Sequence, residues 1–222
     1  MKITLLVDNK KSWVVPCVLK LKKGLEKLGH QVVYIHDSGK IPAGDCAFFL
    51  ACEKIIPKEI LLRNQHNLVV HESALPKGKG WSPLTWQILE GKNEIPITLF
   101  EAVDRVDSGP IYLQDVMCFK GHELLDELHE VQGEKTIELV LKFVKSYPPK
   151  KSKSQLGKES FYLRRTPEDS ELDVNRTIAE QFNLLRVVDN KKYPAFSHYK
   201  GKKYIIQIRK ISEKRTSNND SR

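Results

Sequence analysis

The sequence predicts an α/β fold with a mostly parallel central sheet. Two observations carry this expectation. A short apolar run at 2–8 (KITLLVD) is followed by a segment at 11–29 with apolar side chains at 15, 18, 21, 25 and 28, then by a second apolar run at 31–37 (QVVYIHD). The middle segment has a near-3.6 period and the flanking runs read as strands, so the chain begins strand–helix–strand, the order that leads to parallel pairing. Two further short apolar runs, CAFFLAC at 46–52 and NLVVHES at 67–73, read as buried strands. A chain of 222 residues corresponds to one domain with at most a small appendage, and it buries about 70% of its unfolded surface without disulfides or metal.

The elements follow in order. Gly29 stops the first helix. No GxGxxG follows the first strand, so the dinucleotide fingerprint is absent. KIIPKEILLRN at 54–64 reads as a loop and one short helix. WSPLTWQILEG at 81–91 reads as a helix with Ser82 as its cap and Pro83 in its first turn. Strand-like runs at 95–103 and 109–119 flank the acidic turn Asp104 to Ser108, and a long amphipathic helix is predicted over 122–146. The stretch 146–158 is rich in Lys, Ser and Pro and reads as a linker. A helix over 175–188 and a hairpin over 195–210 come next. The expected organisation is one main domain at 1–146, a linker at 147–160, a small helix and hairpin module at 161–211, and a disordered polar tail at 212–222.

Composition excludes several classes. No apolar run approaches the ~20 residues of a membrane span, and the first eight residues lack the apolar core of a signal peptide. Cysteines at 17, 46, 52 and 118 form neither a CxxC pair nor a zinc spacing, so no metal is expected and the cytoplasm is the default compartment. Net charge is +9. Residues 141–165 hold eight Lys or Arg against one Glu, and residues 200–222 hold eight against two acids, so the remainder is net acidic. These runs suit a solvated surface as well as a polyanion, and they lack the interleaved aromatics that stack bases.

Ligands of open α/β sheets bind beyond the carboxyl ends of the strands. His71 falls at such an end, followed by Pro76, Gly78 and Gly80 in a loop that leads into a helix. A structural histidine beside an ordinary loop fits this pattern, and so does a catalytic histidine beside ligand-binding amides.

His71, Ser73, Leu75 and Pro76, then Asp107 in Asp107-Ser108-Gly109, resemble the signature of the formyltransferases that use 10-formyltetrahydrofolate, which include methionyl-tRNA formyltransferase, glycinamide ribonucleotide transformylase and bacterial sugar N-formyltransferases. The stretch LACEKIIPKEIL at 50–61 looks like the folate-side segment of that family. Residues 77–83 (KGKGWSP) look most like the short sugar enzymes of surface-sugar and pseudaminic-acid-type clusters. The resemblance implies a Rossmann-like formyltransferase fold and a reaction in which a formyl group passes from 10-formyltetrahydrofolate to the primary amine of a nucleotide-linked amino sugar, such as a 4-amino-4,6-dideoxy sugar. It further implies His71 as the catalytic group and Asp107 as the residue that orients it, with Leu50, Ile55, Ile56, Val103 and Asp104 around the pterin. Ser73, Lys77, Lys79, Trp81, Arg164 and Arg165 are the acceptor-side candidates. The two lysines precede a helix start suited to phosphate, and the arginine pair suits a diphosphate or simply a solvated linker end. Trp81 reads as core or as a stacking surface. Val69 departs from the family, which has an oxyanion-binding Asn two residues before the His. Asn64 and Asn67 are near in sequence, and backbone amides of the loop are a further substitute.

A methionyl-tRNA enzyme needs a separate RNA-binding barrel that the residues after 146 do not suggest, so nucleic acid is not expected as a partner. Other amine acceptors, such as glycinamide ribonucleotide or a carrier-bound amino acid, and a non-catalytic basic binding protein on a decayed formyltransferase fold are the alternatives. A homodimer is compatible with the sequence.

Overall fold

The computed structural model describes residues 1–149 and 151–211. Strands β1 (Lys2–Leu6), β2 (Gln31–Ile35), β3 (Gly44–Phe49), β4 (Asn64–His71), β6 (Glu94–Glu101) and β7 (Ile111–Cys118) form a six-stranded sheet in the order β2-β1-β3-β4-β6-β7. The first four are parallel, β6 runs antiparallel to β4, and β7 runs antiparallel to β6. Two helices, α1 (Val15–Lys27) and α4 (Leu125–Lys145), contribute Leu21, Leu25, Val140 and Phe143 to the main core against Leu5, Phe48, Leu68 and Leu99 of the sheet. A smaller cluster of Leu6, Ile41, Ala47, Phe49 and Ile60 includes the short helix α2 (Lys58–Leu61). Strands buried on both faces read as continuous apolar runs, which is why β1 and β3 are plain in the sequence.

Three elements differ from expectation. Helix α3 (Pro83–Leu89) keeps Pro83 in its first turn, but Ser82 has φ 47° and its side chain makes no capping bond. The helix expected over 175–188 is only α5 (Phe182–Val187). Upstream of it the Gln181 side chain bonds the Asp173 amide and the carbonyls of Asp173, Arg176 and Thr177, so side chain replaces helix ladder. The linker expected at 147–160 is not free. Lys153 pairs with Ile111 through two backbone bonds of 2.7 and 2.8 Å, and strand β8 (Phe161–Tyr162) pairs in parallel with β5 (Lys79–Gly80).

A hairpin of β9 (Ala195–Tyr199) and β10 (Lys202–Ile206) completes the described chain, and the tail expected to be disordered lies outside the described residues. Arg186, 1% exposed, ties this last part to the main sheet region: it donates to Asn93 Oδ1 at 3.0 Å and to Glu123 Oε2 at 3.2 Å. A buried guanidinium is tolerated because each partner is a fixed acceptor.

Candidate active site

His71 is the last residue of β4. Its ring lies edge-on to Phe100 with centroids 6.4 Å apart, and the residue is 7% exposed. Nε2 lies 2.8 Å from the carbonyl of Gly78 and 3.9 Å from Asp107 Oδ2. A carbonyl can only accept, so Nε2 carries the proton in the neutral ring. The structure therefore corrects one expectation: the carbonyl of Gly78, rather than Asp107, makes the hydrogen bond that orients the imidazole. Asp107 stands beside the same nitrogen, beyond hydrogen-bond distance of it.

Asp107 adopts φ 49°, in the left-handed region that Asp tolerates better than most residues. Its Oδ2 accepts from the Gly80 amide at 2.9 Å. Gly109 then passes so close to β6 that a Cβ there would lie 1.8 Å from the Glu101 carbonyl oxygen, so only glycine fits. Sequence spacing thus brings residues 71 and 107 together through two glycine-bearing loops, but the role of the Gly78 carbonyl left no side-chain signal to read.

Several candidates sit elsewhere than expected. Lys79 is 1% exposed, and its ammonium donates to Glu159 Oε1 and Ser108 Oγ, each at 2.8 Å. It is a buried, paired cation and not a free phosphate ligand. Lys77 is exposed. Ser73 is 1% exposed with its Oγ enclosed, which removes it from the substrate-facing set, while its carbonyl accepts from Thr98 Oγ1 at 2.6 Å. Trp81 is no core residue: it is 36% exposed and the Arg164 guanidinium stacks 4.5 Å from its ring centroid. The same guanidinium reaches Glu53 Oε2 at 3.6 Å. Arg165 turns away from it and donates to the carbonyl of Asp169 at 2.9 Å, so the two arginines do not form a joint fork.

The pterin-side candidates also divide. Leu50 is buried in the main core and cannot line a cleft. Ile56 packs in the smaller core beside Ile60, while Ile55 and Val103 are exposed. Asp104 pairs with Lys58 at 3.4 Å, linking the loop after β6 to α2. Val69 is half-buried and packs with Leu75, Phe100 and Ile111 on the strand face shared with His71. The amide nitrogens of Asn64 and Asn67 donate to the carbonyls of Pro42 and Leu61.

Glu72 was not singled out by the sequence. Burial pushes its carboxyl up, against the opposing pull of His71 and Gln132. Burial also pushes the thiols of Cys46, inside β3, and Cys52, past its end, up to about 12. Among the described residues no cluster has the make-up of a metal site, and no helix is long and apolar enough to cross a membrane.

Comparisons with known proteins agree with this layout. A methionyl-tRNA formyltransferase of Lactococcus lactis is 23% identical over 195 residues, which is 86% of this chain and 58% of that protein. Another, from Thermodesulfovibrio yellowstonii, is 30% identical over 145 residues, 63% of this chain and 46% of that protein. The chain thus spans about half the length of the curated relatives it matches. Among solved structures, methionyl-tRNA formyltransferase from Clostridium thermocellum superposes with TM-score 0.80 at 22% identity, covering 96% of this chain and 94% of that one. A sugar N-formyltransferase from Shewanella gives TM-score 0.69 at 15% identity, covering 96% and 99%. HypX from Aquifex aeolicus, solved with tetrahydrofolic acid, gives 0.73 at 18% identity, covering 94% and 37%. At these identities the structures establish the fold alone. The family model for formyl transferases matches residues 6–141, well over half of the sequence, and the chain belongs to that family.

Proposed function

We propose that the protein transfers a formyl group from 10-formyltetrahydrofolate to the primary amine of a nucleotide-linked amino sugar, as in surface glycan synthesis. The observation that carries formyl transfer is the convergence of His71 and Asp107, 3.9 Å apart at a strand end of a formyl transferase fold. In this reading the neutral amine attacks the formyl carbon, and the C–N bond to the acceptor forms as the bond to the folate nitrogen breaks. His71 takes the amine proton at Nδ1, its unprotonated ring nitrogen, and the imidazolium so formed stabilises the oxyanion before the proton passes on to the folate nitrogen. Asp107 stabilises the transient imidazolium, and the Gly78 carbonyl holds the ring in place.

The loop pair joined by Lys58 and Asp104 supports the donor side, because Ile55 and Val103 offer apolar side chains to a pterin there. The exposed Trp81–Arg164 stack supports the acceptor side, with an aromatic face for a planar base and a cation for a diphosphate. A second reading, formylation of an aminoacyl-tRNA, is favoured by the names of the relatives and by the basic runs. The described residues beyond α4 form one short helix, a hairpin and the β8 pairing.

The test is mass spectrometry of UDP- and dTDP-linked amino sugars, glycinamide ribonucleotide and methionyl-tRNA, each incubated with 10-formyltetrahydrofolate and the protein. A formyl mass gain on an amino-sugar nucleotide is expected. Gain on methionyl-tRNA or glycinamide ribonucleotide alone replaces the acceptor assignment, and gain on none overturns formyl transfer.

A further inference from the structure

Residues 153–162 lie across both loops that carry the His71–Asp107 pair. Ser160 Oγ accepts from the Gly78 amide at 2.9 Å, and the Ser160 carbonyl accepts from the Lys79 amide at 2.9 Å. These bonds hold the peptide whose carbonyl orients His71. Five residues earlier, the side-chain amide of Gln155 donates to the carbonyls of Asp107 and Gly109, at 2.9 and 2.8 Å. Both hydrogens of one amide are thus used on the two carbonyls that bracket Ser108. Lys153 is paired with Ile111, which fixes the backbone two residues before Gln155.

The need for such a brace follows from the turn itself. Asp107 is a non-glycine residue at φ 49°, a conformation that costs an L-residue free energy and persists where surrounding contacts determine it. If the turn relaxes, the carboxylate leaves its place beside His71 Nε2 and the Gly80 amide.

We propose that Gln155 is a positioning residue for formyl transfer, acting through Asp107 by bracing the Asp107–Gly109 turn. This rests on the reading of His71 and Asp107 as the reacting pair. Gln155 bonds neither the imidazole nor the carboxylate, so it acts on them through the backbone of the turn.

The experiment compares Gln155→Glu, which keeps the shape and loses the donors, and Gln155→Met, which loses polarity altogether. Each is made alone and in an Asp107→Ala background. The assay uses 10-formyltetrahydrofolate and whichever amine of the panel above the wild-type protein formylates. Each single variant is expected to lower kcat by roughly 10- to 100-fold, the scale of a small misplacement of a catalytic group, with the KM for 10-formyltetrahydrofolate moving less than about 2-fold. In the Asp107→Ala background neither is expected to cost more, because the residue it positions is gone. Wild-type kcat in both Gln155 variants, with Asp107→Ala inactive, overturns this inference and leaves the pair intact. A further full loss on top of Asp107→Ala also overturns it, since Gln155 then acts elsewhere. Full activity in Asp107→Ala, or no amine formylated at all, removes the reading of the pair and the inference with it.

Discussion

The ammonium of Lys79 and the carboxylate of Glu159 meet at 2.8 Å across 80 residues of chain, with the lysine wholly enclosed and the glutamate partly open to solvent. Lys79 holds the Glu159 carboxyl below the usual carboxylate range, assisted by Arg105. A depressed folded value adds stability that is present above the unfolded pKa of about 4.3 and is lost as pH falls through the folded value. Thermal melts should therefore show wild type losing, below about pH 4, an increment that Glu159→Gln lacks. At neutral pH Glu159→Gln should melt roughly 5 °C lower, since it leaves an enclosed ammonium without its counter-charge. Equal melting temperatures at pH 7 would show that the pair contributes nothing.

His71→Ala and Asp107→Asn should each lower kcat by about 10²- to 10⁴-fold, the range for a proton-transfer group, with circular dichroism unchanged. Single-turnover formyl transfer measures this directly. An undiminished rate in either variant would end the proposed chemistry.

Val69→Asn returns the family's residue to a strand face shared with His71. Its new amide enters a cluster with Leu75, Phe100 and Ile111, so a loss of about 1–3 kcal/mol in stability is expected in urea titrations. The formyl-transfer rate is expected to rise, because an oxyanion donor of this kind contributes up to about 100-fold or more in comparable sites. A slower enzyme would mean that backbone amides already fill the role.

Glu72→Gln should stabilise the protein increasingly as pH rises above the unfolded carboxylate value of about 4.3. Burial raises the folded pKa of this carboxyl, so its protonated form is favoured in the folded state, and stability is lost as pH rises through that value. An amide of the same shape carries no such penalty. Melting temperatures from pH 5 to 9 should diverge upward for the variant, and parallel curves would refute the assignment.

Arg164→Ala removes the cation over Trp81 and should raise the KM for the acceptor by roughly 10-fold, the worth of one charge-assisted contact. The KM for 10-formyltetrahydrofolate should hold. A change in donor KM alone would place the stack on the other side of the cleft.

What could be read in the sequence was what repeats locally. The apolar runs of β1, β3, β4 and β6 mark strands because each is largely buried in the sheet, and the two motif positions His71 and Asp107 lie 3.9 Å apart. What escaped depends on distant partners. Residues 147–160 carry only the composition of a solvated linker, yet Gln155 and Glu159 find partners at Asp107, Gly109 and Lys79. Lys79 read as a phosphate ligand because Glu159 lies 80 residues away. Trp81 stayed open between core and stacking surface because nothing near it in sequence announces Arg164. Leu50 was placed in the cleft by resemblance, whereas it follows β3 directly and is buried in the main core.

The pairing of β5 with β8 also has a consequence for the order in which the protein is made. A ribosome releases the chain from its amino end, so all six strands of the main sheet, and α4 with them, precede the segment that braces the site. At about 5–20 residues per second the seventeen residues from Lys145 to Tyr162 follow within about one to three seconds. The contacts that fix Gly78 and Asp107 therefore form only after every residue of the main sheet has been made.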